Sequence, residues 1–364
     1  MNARILSSVA NRTARTDPPP LRLNEATVVL WRAAGILQLE LGERRIVVEN
    51  VGAAEMAALL TRSRAPRREQ VDDATAFTEL RAALDESGFL AAAPPDDPLD
   101  RPDFGRLPGH LNADLVALSA QYGSEAAPVL LARRETAVAV HGTSRLAASV
   151  AATLAAAGVG SVQLVHGGDV VAADACPGGL TPADEGRRFG LAAADAIRRA
   201  APDVDTAALS GERPADLVIL TDTAPVEPTV AASLHLDGLA HLRTQVNGSH
   251  AIIGPLVVPG VTSCLRCADL HRVDRDPSWP AIAVQLGGIP RHRAASDVSL
   301  CVATAGIAAT QALSYLDRQQ PATLGGTLEW HLPDWRLRRR TWPAHYSCEC
   351  GAATTALRHG TMGA

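Results

Sequence analysis

No lysine occurs among the 364 residues, so all 34 basic side chains are arginine. That absence removes Schiff-base catalysis, a Walker-type phosphate lysine and a lysine general base. Aromatic residues are scarce at 3%, and the apolar fraction of 47% must come mainly from Ala, Val and Leu, which suits an α/β protein packed with small side chains. Charge of one sign is also lacking: a net −5 argues against a polyanion-binding surface over the whole molecule. Long runs of large apolar residues are missing. Two uncharged stretches, 146–165 and 298–316, approach the length of a membrane span. The first, however, is alanine-rich and contains Gly158 and Gly160, and the second is interrupted by Ser299, Thr304, Gln311 and Ser314. Both read as buried elements of a cytoplasmic protein with no membrane partner. Residues 1–16 carry Arg4, Arg12 and Arg15, no acid and no secretory apolar core, and read as part of a flexible tail over 1–20.

After Pro18, Pro19 and Pro20, segments 27–31, 36–41 and 46–48 alternate as a hairpin or three-stranded meander. Beyond Gly52, Met56, Leu59 and Leu60 fall at helical spacing. A second helix starts at Asp72 or Asp73, aligns Phe77, Leu80 and Leu84, and stops at Gly88. Strands followed by helices over 21–95 describe a small winged-helix-like α+β module. Prolines 94, 95, 98, 102 and 108, with four aspartates among them, then form a stiff linker, which together with a helix occupies 96–130. In the second domain, 131–364, strands at 136–140, 162–165 and 217–220 alternate with helices at 146–157 and 191–200. That order predicts an α/β fold with a Rossmann-type parallel sheet.

The strongest chemical signal is cysteine. Cys264 and Cys267 form a C-x-x-C knuckle, while Cys348 and Cys350 form C-x-C followed by Gly351. Two such pairs complete the four-sulfur set that zinc takes at about 2.3 Å, and four thiolates leave no open position, so this zinc is structural. Disulfides of a secreted protein or a redox pair are the alternatives. Cys176 and Cys301 read as lone thiols, and His271 as a packing or hydrogen-bonding neighbour of the knuckle.

The turn His141-Gly142-Thr143-Ser144-Arg145-Leu146-Ala147 follows the first strand of the parallel domain. Further on come Gly158-Val159-Gly160, Ala183-Asp184-Glu185-Gly186 before an arginine-rich helix, Thr221-Asp222, and the cysteine pairs. Together, over 136–351, these features resemble the ThiF-type, ubiquitin-activating-enzyme-like adenylyltransferase superfamily. In that superfamily the turn reads G-x-G-G-x-G, so the backbone can approach phosphates. Here Gly142 alone matches, with Ser144, Arg145 and Ala147 in place of the other glycines. His166 stands where the resemblance implies a ribose-binding acid, and Arg187 or Arg188 must replace the family's lysine. Asp222 matches the metal-binding, catalytic aspartate, but Thr223 replaces the asparagine after it; Asp222 reads equally as the cap of a turn. Gly142, Arg145, His166 and Asp222 thus make a degenerate nucleotide pocket. ATP is not expected there, and no catalytic residue is assigned unless the enzyme is active, in which case it is Asp222.

Among relatives with such a pocket, the sequence is most similar to the leader-peptide-binding, cyclodehydratase-associated proteins of thiazole/oxazole-modified microcin biosynthesis. The resemblance implies a non-catalytic adaptor. Its N-terminal module, including Val29-Leu30-Trp31-Arg32, takes a leader peptide by strand addition, a separate YcaO-type enzyme performs the chemistry, and the chain is a homodimer. Two other readings remain: an active adenylyltransferase acting on a ubiquitin-like or sulfur-carrier protein, and a winged-helix DNA binder. Arg62, Arg64, Arg67 and Arg68 favour DNA, whereas Asp72, Asp73, Glu79, Asp85 and Glu86 against Arg81 oppose it. Arg336, Arg338, Arg339 and Arg340 read as an exposed strand face or a docking surface for an acidic partner.

Overall fold

Leu37, Leu39 and Leu41 occupy alternate positions of β3 (Ile36–Leu41) and are buried, because a strand sends successive side chains to opposite faces. The computed structural model describes residues 21–24, 26–49, 81–92, 107–209, 214–222, 224–288 and 296–352. The tail, the helix expected after Gly52, Arg62 to Arg68, the start of the helix expected at 72–88, most of the linker and Thr223 lie outside the described residues. By contacts the chain divides into two units, 1–128 and 129–364.

In the first unit β1 (Leu21–Leu23) pairs antiparallel with β5 (Leu90–Ala92), and β2 (Val28–Ala33), β3 and β4 (Arg44–Val48) form the expected antiparallel meander. Leu39, Leu41, Leu84 and Phe89 make its core. Arg44 fastens the meander by donating to the carbonyls of Gly88 at 3.1 Å and Ala120 at 2.7 Å; Ala120 lies on α1 (Asn112–Tyr122). Residues 81–86 are helical, at the end of the helix expected over 72–88; the start of that helix and the helix expected after Gly52 are not among the described residues, so the winged-helix arrangement stays an expectation. Helix α2 (Ala126–Arg134) spans the division between the units.

The second unit is built on a seven-stranded sheet. Its order is β12 (Arg338–Thr341), β11 (Gly326–His331), β10 (His250–Val257), β9 (His241–Asn247), β8 (Leu217–Leu220), β6 (Ala137–His141), β7 (Ser161–Val165). Pairing is parallel from β9 through β8 and β6 to β7, and antiparallel across β9, β10, β11 and β12. The sheet is therefore mixed rather than wholly parallel. The reason is local: Asn247-Gly248 opens a tight turn with Gly248 at φ +57°, which returns the chain directly alongside β9 instead of through a crossover helix.

Alternation along β6 and β8 divides the core. Val138, Val140, Leu217 and Ile219 face α3 (Ala147–Ala156), α4 (Phe189–Ala200) and α8 (Val298–Leu316), while Ala139, Val218 and Leu220 face the cysteines and α5 (Pro228–Leu236). Helix α8 is long and apolar enough to cross a membrane by length and composition. Its buried stripe, Leu300, Cys301, Thr304, Ala305, Ala308 and Ala312, lies within the core formed with α3 and the sheet. Gly160 fits tightly before β7: a Cβ there would lie 1.7 Å from the Arg134 carbonyl oxygen. Gly160→Ala is expected to destabilise this unit by about 1–3 kcal/mol through overpacking, read as a lower urea midpoint.

Candidate functional site

The chain leaves β6 for β7 on one side and later places β8 on the other, so a crevice forms at the carboxyl ends of these strands. The segments that end there are the ones the sequence singles out: 141–147 after β6, His166 after β7 and Asp222 after β8. Gly142 has φ +128°, and a Cβ on it would lie 2.5 Å from Thr221 Oγ1 and 2.8 Å from Asp222 Oδ1, so the turn requires glycine at this position. Asp222 Oδ1 accepts from the Thr143 amide at 2.6 Å and from its hydroxyl at 3.3 Å. The carboxylate thus fastens the turn to the end of β8. His141, at the end of β6, has its pKa pushed down by burial against an opposing pull from Asp222.

Arg145 does not project freely. Its Nε donates to the Ala175 carbonyl at 2.7 Å and its Nη1 to the Ser296 carbonyl at 3.2 Å, so the guanidinium ties the turn to two other segments. Ser144 Oγ is buried with no hydrogen-bond partner. The His166 ring meets the buried Phe189 ring edge-on at 4.6 Å, setting an aromatic pair beside the second strand. Arg187 bonds Asp184 at 2.6 Å and also Asp195, and Arg188 lies 3.3 Å from Asp169. The cations that could replace a phosphate-binding lysine are thus already paired with carboxylates. As arranged, one glycine lines the turn, and Nε and Nη1 of its arginine are engaged by carbonyls.

On the other face of the sheet, Cys264 stands at the N-cap of α6 (Leu265–Arg275), which α7 (Trp279–Gly287) follows, Cys267 sits in the first turn of α6, and the loop after β12 brings in Cys348 and Cys350. The Sγ separations are 3.8 Å for Cys264 to Cys267 and 3.6 Å for both Cys264 to Cys348 and Cys267 to Cys350. A tetrahedron of sulfurs about 2.3 Å from a central ion has edges of about 3.8 Å, so four buried thiolates here could hold zinc. The Cys264 thiol donates to the Cys267 sulfur, which pulls the pKa of Cys267 down and pushes that of Cys264 up. His271 Nε2 bonds the Pro343 carbonyl at 3.0 Å, and its ring lies 4.8 Å from that of His345. On β12 the arginine-rich strand is exposed. Arg338 pairs with Asp334 at 2.7 Å and Arg340 approaches Glu329 at 3.7 Å.

No sequence motif marks Arg243 on β9. Its Nη2 donates to the Ala224 carbonyl at 3.1 Å and to Gln245 Oε1 at 2.6 Å, while its Nε is buried without a partner.

No protein-family model and no curated protein matches the sequence. Solved structures do match in fold. E. coli MccB with succinimide superposes with a TM-score of 0.69 at 14% identity, covering 91% of this chain and 98% of that one. E. coli MccB with ATP gives 0.68 at 15%, covering 91% and 99%. PaaA gives 0.64 at 18%, covering 87% and 99%. MccB, a microcin C7 biosynthetic enzyme, is also known in complex with N-formylated MccA. Because a structure of this fold holds ATP, the comparisons lend no support to the expectation that nucleotide is absent; that expectation stands on the turn alone. The mixed sheet, its switch point and this likeness together give the chain the ThiF-type, ubiquitin-activating-enzyme-like fold.

Proposed function

We propose that the protein is a cytoplasmic, homodimeric adaptor of peptide natural-product biosynthesis. It binds the leader segment of a ribosomal peptide and presents it to a separate YcaO-type cyclodehydratase, without adenylyl transfer of its own. The observation that carries this reading is Arg145: where a phosphate turn needs bare backbone, a guanidinium is engaged by the Ala175 and Ser296 carbonyls. The complexes of MccB with MccA and its analogues support a peptide as the partner of this fold. Cys264, Cys267, Cys348 and Cys350 hold a structural zinc in this reading, and the metal takes no part in chemistry.

Leader binding falls on the first unit. Its meander ends in β2, whose Val28, Leu30 and Trp31 are exposed, 56% in the case of Trp31. A second strand laid along this edge would gain main-chain hydrogen bonds and an apolar contact. Amide directions alternate along an edge strand, so one of Leu30→Pro and Trp31→Pro removes an outward donor. That variant is expected to bind leader peptides about tenfold more weakly while zinc content is unchanged. The measurement is fluorescence anisotropy of peptides encoded by neighbouring small reading frames, titrated with the full-length protein. Equal binding by both proline variants contradicts strand addition, and a steeply salt-dependent shift of duplex DNA with no peptide binding replaces the adaptor with a DNA-binding role.

An active adenylyltransferase is the second reading. It is favoured by the retained Asp222, by the unpartnered Ser144 hydroxyl at the turn and by the ATP complex of MccB.

A further inference from the structure

Two residues apart on β9, Arg243 and Gln245 lie on the same side of the sheet, where β10, β11 and α6 border a small, partly open cleft. Pro225, Val226, Ile252 and Leu265 supply apolar wall. The other charges in the cleft are already matched. Asp269 Oδ1 accepts from Arg272 at 2.8 Å and from Trp279 Nε1 at 3.2 Å, and Glu329 accepts from the Thr327 hydroxyl at 2.7 Å with Arg340 at 3.7 Å. Arg243 differs. Its two acceptors, the Ala224 carbonyl and the Gln245 carboxamide, are neutral, and among the described residues no carboxylate forms an ion pair with it. Its Nε points no hydrogen bond anywhere. Burial, reinforced by repulsion from Arg272, lowers the guanidinium pKa to about 10, with Asp269 and Asp222 acting against it from a distance. A buried cation with an orphan donor, neutral partners and an open cleft beside it lacks an anionic acceptor.

We propose that the cleft is a carboxylate-binding subsite, in which the Arg243 guanidinium, which lines the cleft without an ionic partner among the described residues, takes a carboxylate and the apolar wall receives the atoms next to it. Pro225, which lines the cleft, follows Asp222 closely, and Asp222 acts electrostatically on Arg243, so the subsite neighbours the degenerate nucleotide turn. The source of that carboxylate, a peptide C-terminus or an acidic side chain, rests on the peptide-binding reading; the chemistry of the subsite does not.

The test titrates the full-length protein by ligand-observed NMR with three small probes. N-acetylalanine carries a terminal carboxylate, the α-amide of N-acetylaspartate carries a side-chain carboxylate, and N-acetylalanine amide carries none. At least one carboxylate is expected to bind about tenfold tighter than the neutral amide, as for a hydrogen bond to a charged group, and the tighter of the two identifies the source. Arg243→Gln should erase that preference. Because loss of a buried arginine can also impair folding, the decisive variant is Gln245→Glu, which sets an internal carboxylate against Arg243 Nη2. It should abolish the preference with the melting temperature unchanged or raised. Equal binding of the neutral amide, no binding of either carboxylate, or a preference that survives Gln245→Glu overturns the proposal. The leader-peptide titration reads the edge of β2 and this one reads Arg243, so the two readings fail separately.

Discussion

Cys264→Ser or Cys348→Ser is expected to lower soluble yield sharply, and the protein that survives should contain well under one zinc per chain. Structural zinc contributes on the order of 10 kcal/mol in small sites. That is comparable with the whole stability of a domain, about 5–15 kcal/mol. Here the four sulfurs join the start of α6 to the loop after β12, residues more than eighty positions apart in the chain. Four thiolates this close repel one another, so the cluster needs a cation or retained protons to fold around. The check is metal content by mass spectrometry alongside a thermal melt with and without a strong chelator. Stoichiometric zinc persisting after all four cysteines are exchanged contradicts the assignment.

Asp317→Ala is expected to cost about 3–5 kcal/mol, because it strands a buried guanidinium. Arg133 Nε and Nη2 donate to the two Asp317 oxygens at 2.7 and 2.5 Å, Nη1 reaches the Ala157 carbonyl at 3.2 Å, and the side chains of the pair are 6% and 3% exposed. The pair therefore joins α2, the end of α3 and the end of α8. Replacing both partners, Arg133→Met with Asp317→Leu, should recover most of the loss, since two apolar groups leave no charge unpaired. Urea unfolding followed by circular dichroism measures both variants. A loss below about 1 kcal/mol for Asp317→Ala is inconsistent with a buried pair.

Some of this molecule is legible in its sequence. Period-two alternation around Gly35 gives the meander, and the apolar runs at 136–140, 162–165 and 217–220 are the parallel strands, since both patterns depend on local geometry alone. The cysteine spacing likewise announces that the four sulfurs converge. Harder to read is the antiparallel half of the sheet. Its signal, Gly248-Ser249 between an alternating segment and an apolar run, is present, but short and outweighed by the preceding α/β alternation. The engagement of Arg145 by the Ala175 and Ser296 carbonyls could not be read at all, because its partners lie 30 and 151 positions away. Arg243 is hidden for a similar reason. On a strand that reads Leu-Arg-Thr-Gln-Val it looks like an ordinary polar position, and only the cleft between β9, β11 and α6 gives it a meaning.

The central claim, a ThiF-type fold that binds without adenylating, is tested most directly by ATP-dependent pyrophosphate exchange, run with magnesium and with the leader peptide that binds best. Exchange indistinguishable from the protein-free background is expected, with no change on Asp222→Ala beyond its effect on the turn it fastens to Thr143. Robust exchange that Asp222→Ala abolishes contradicts it and makes the protein an active adenylyltransferase.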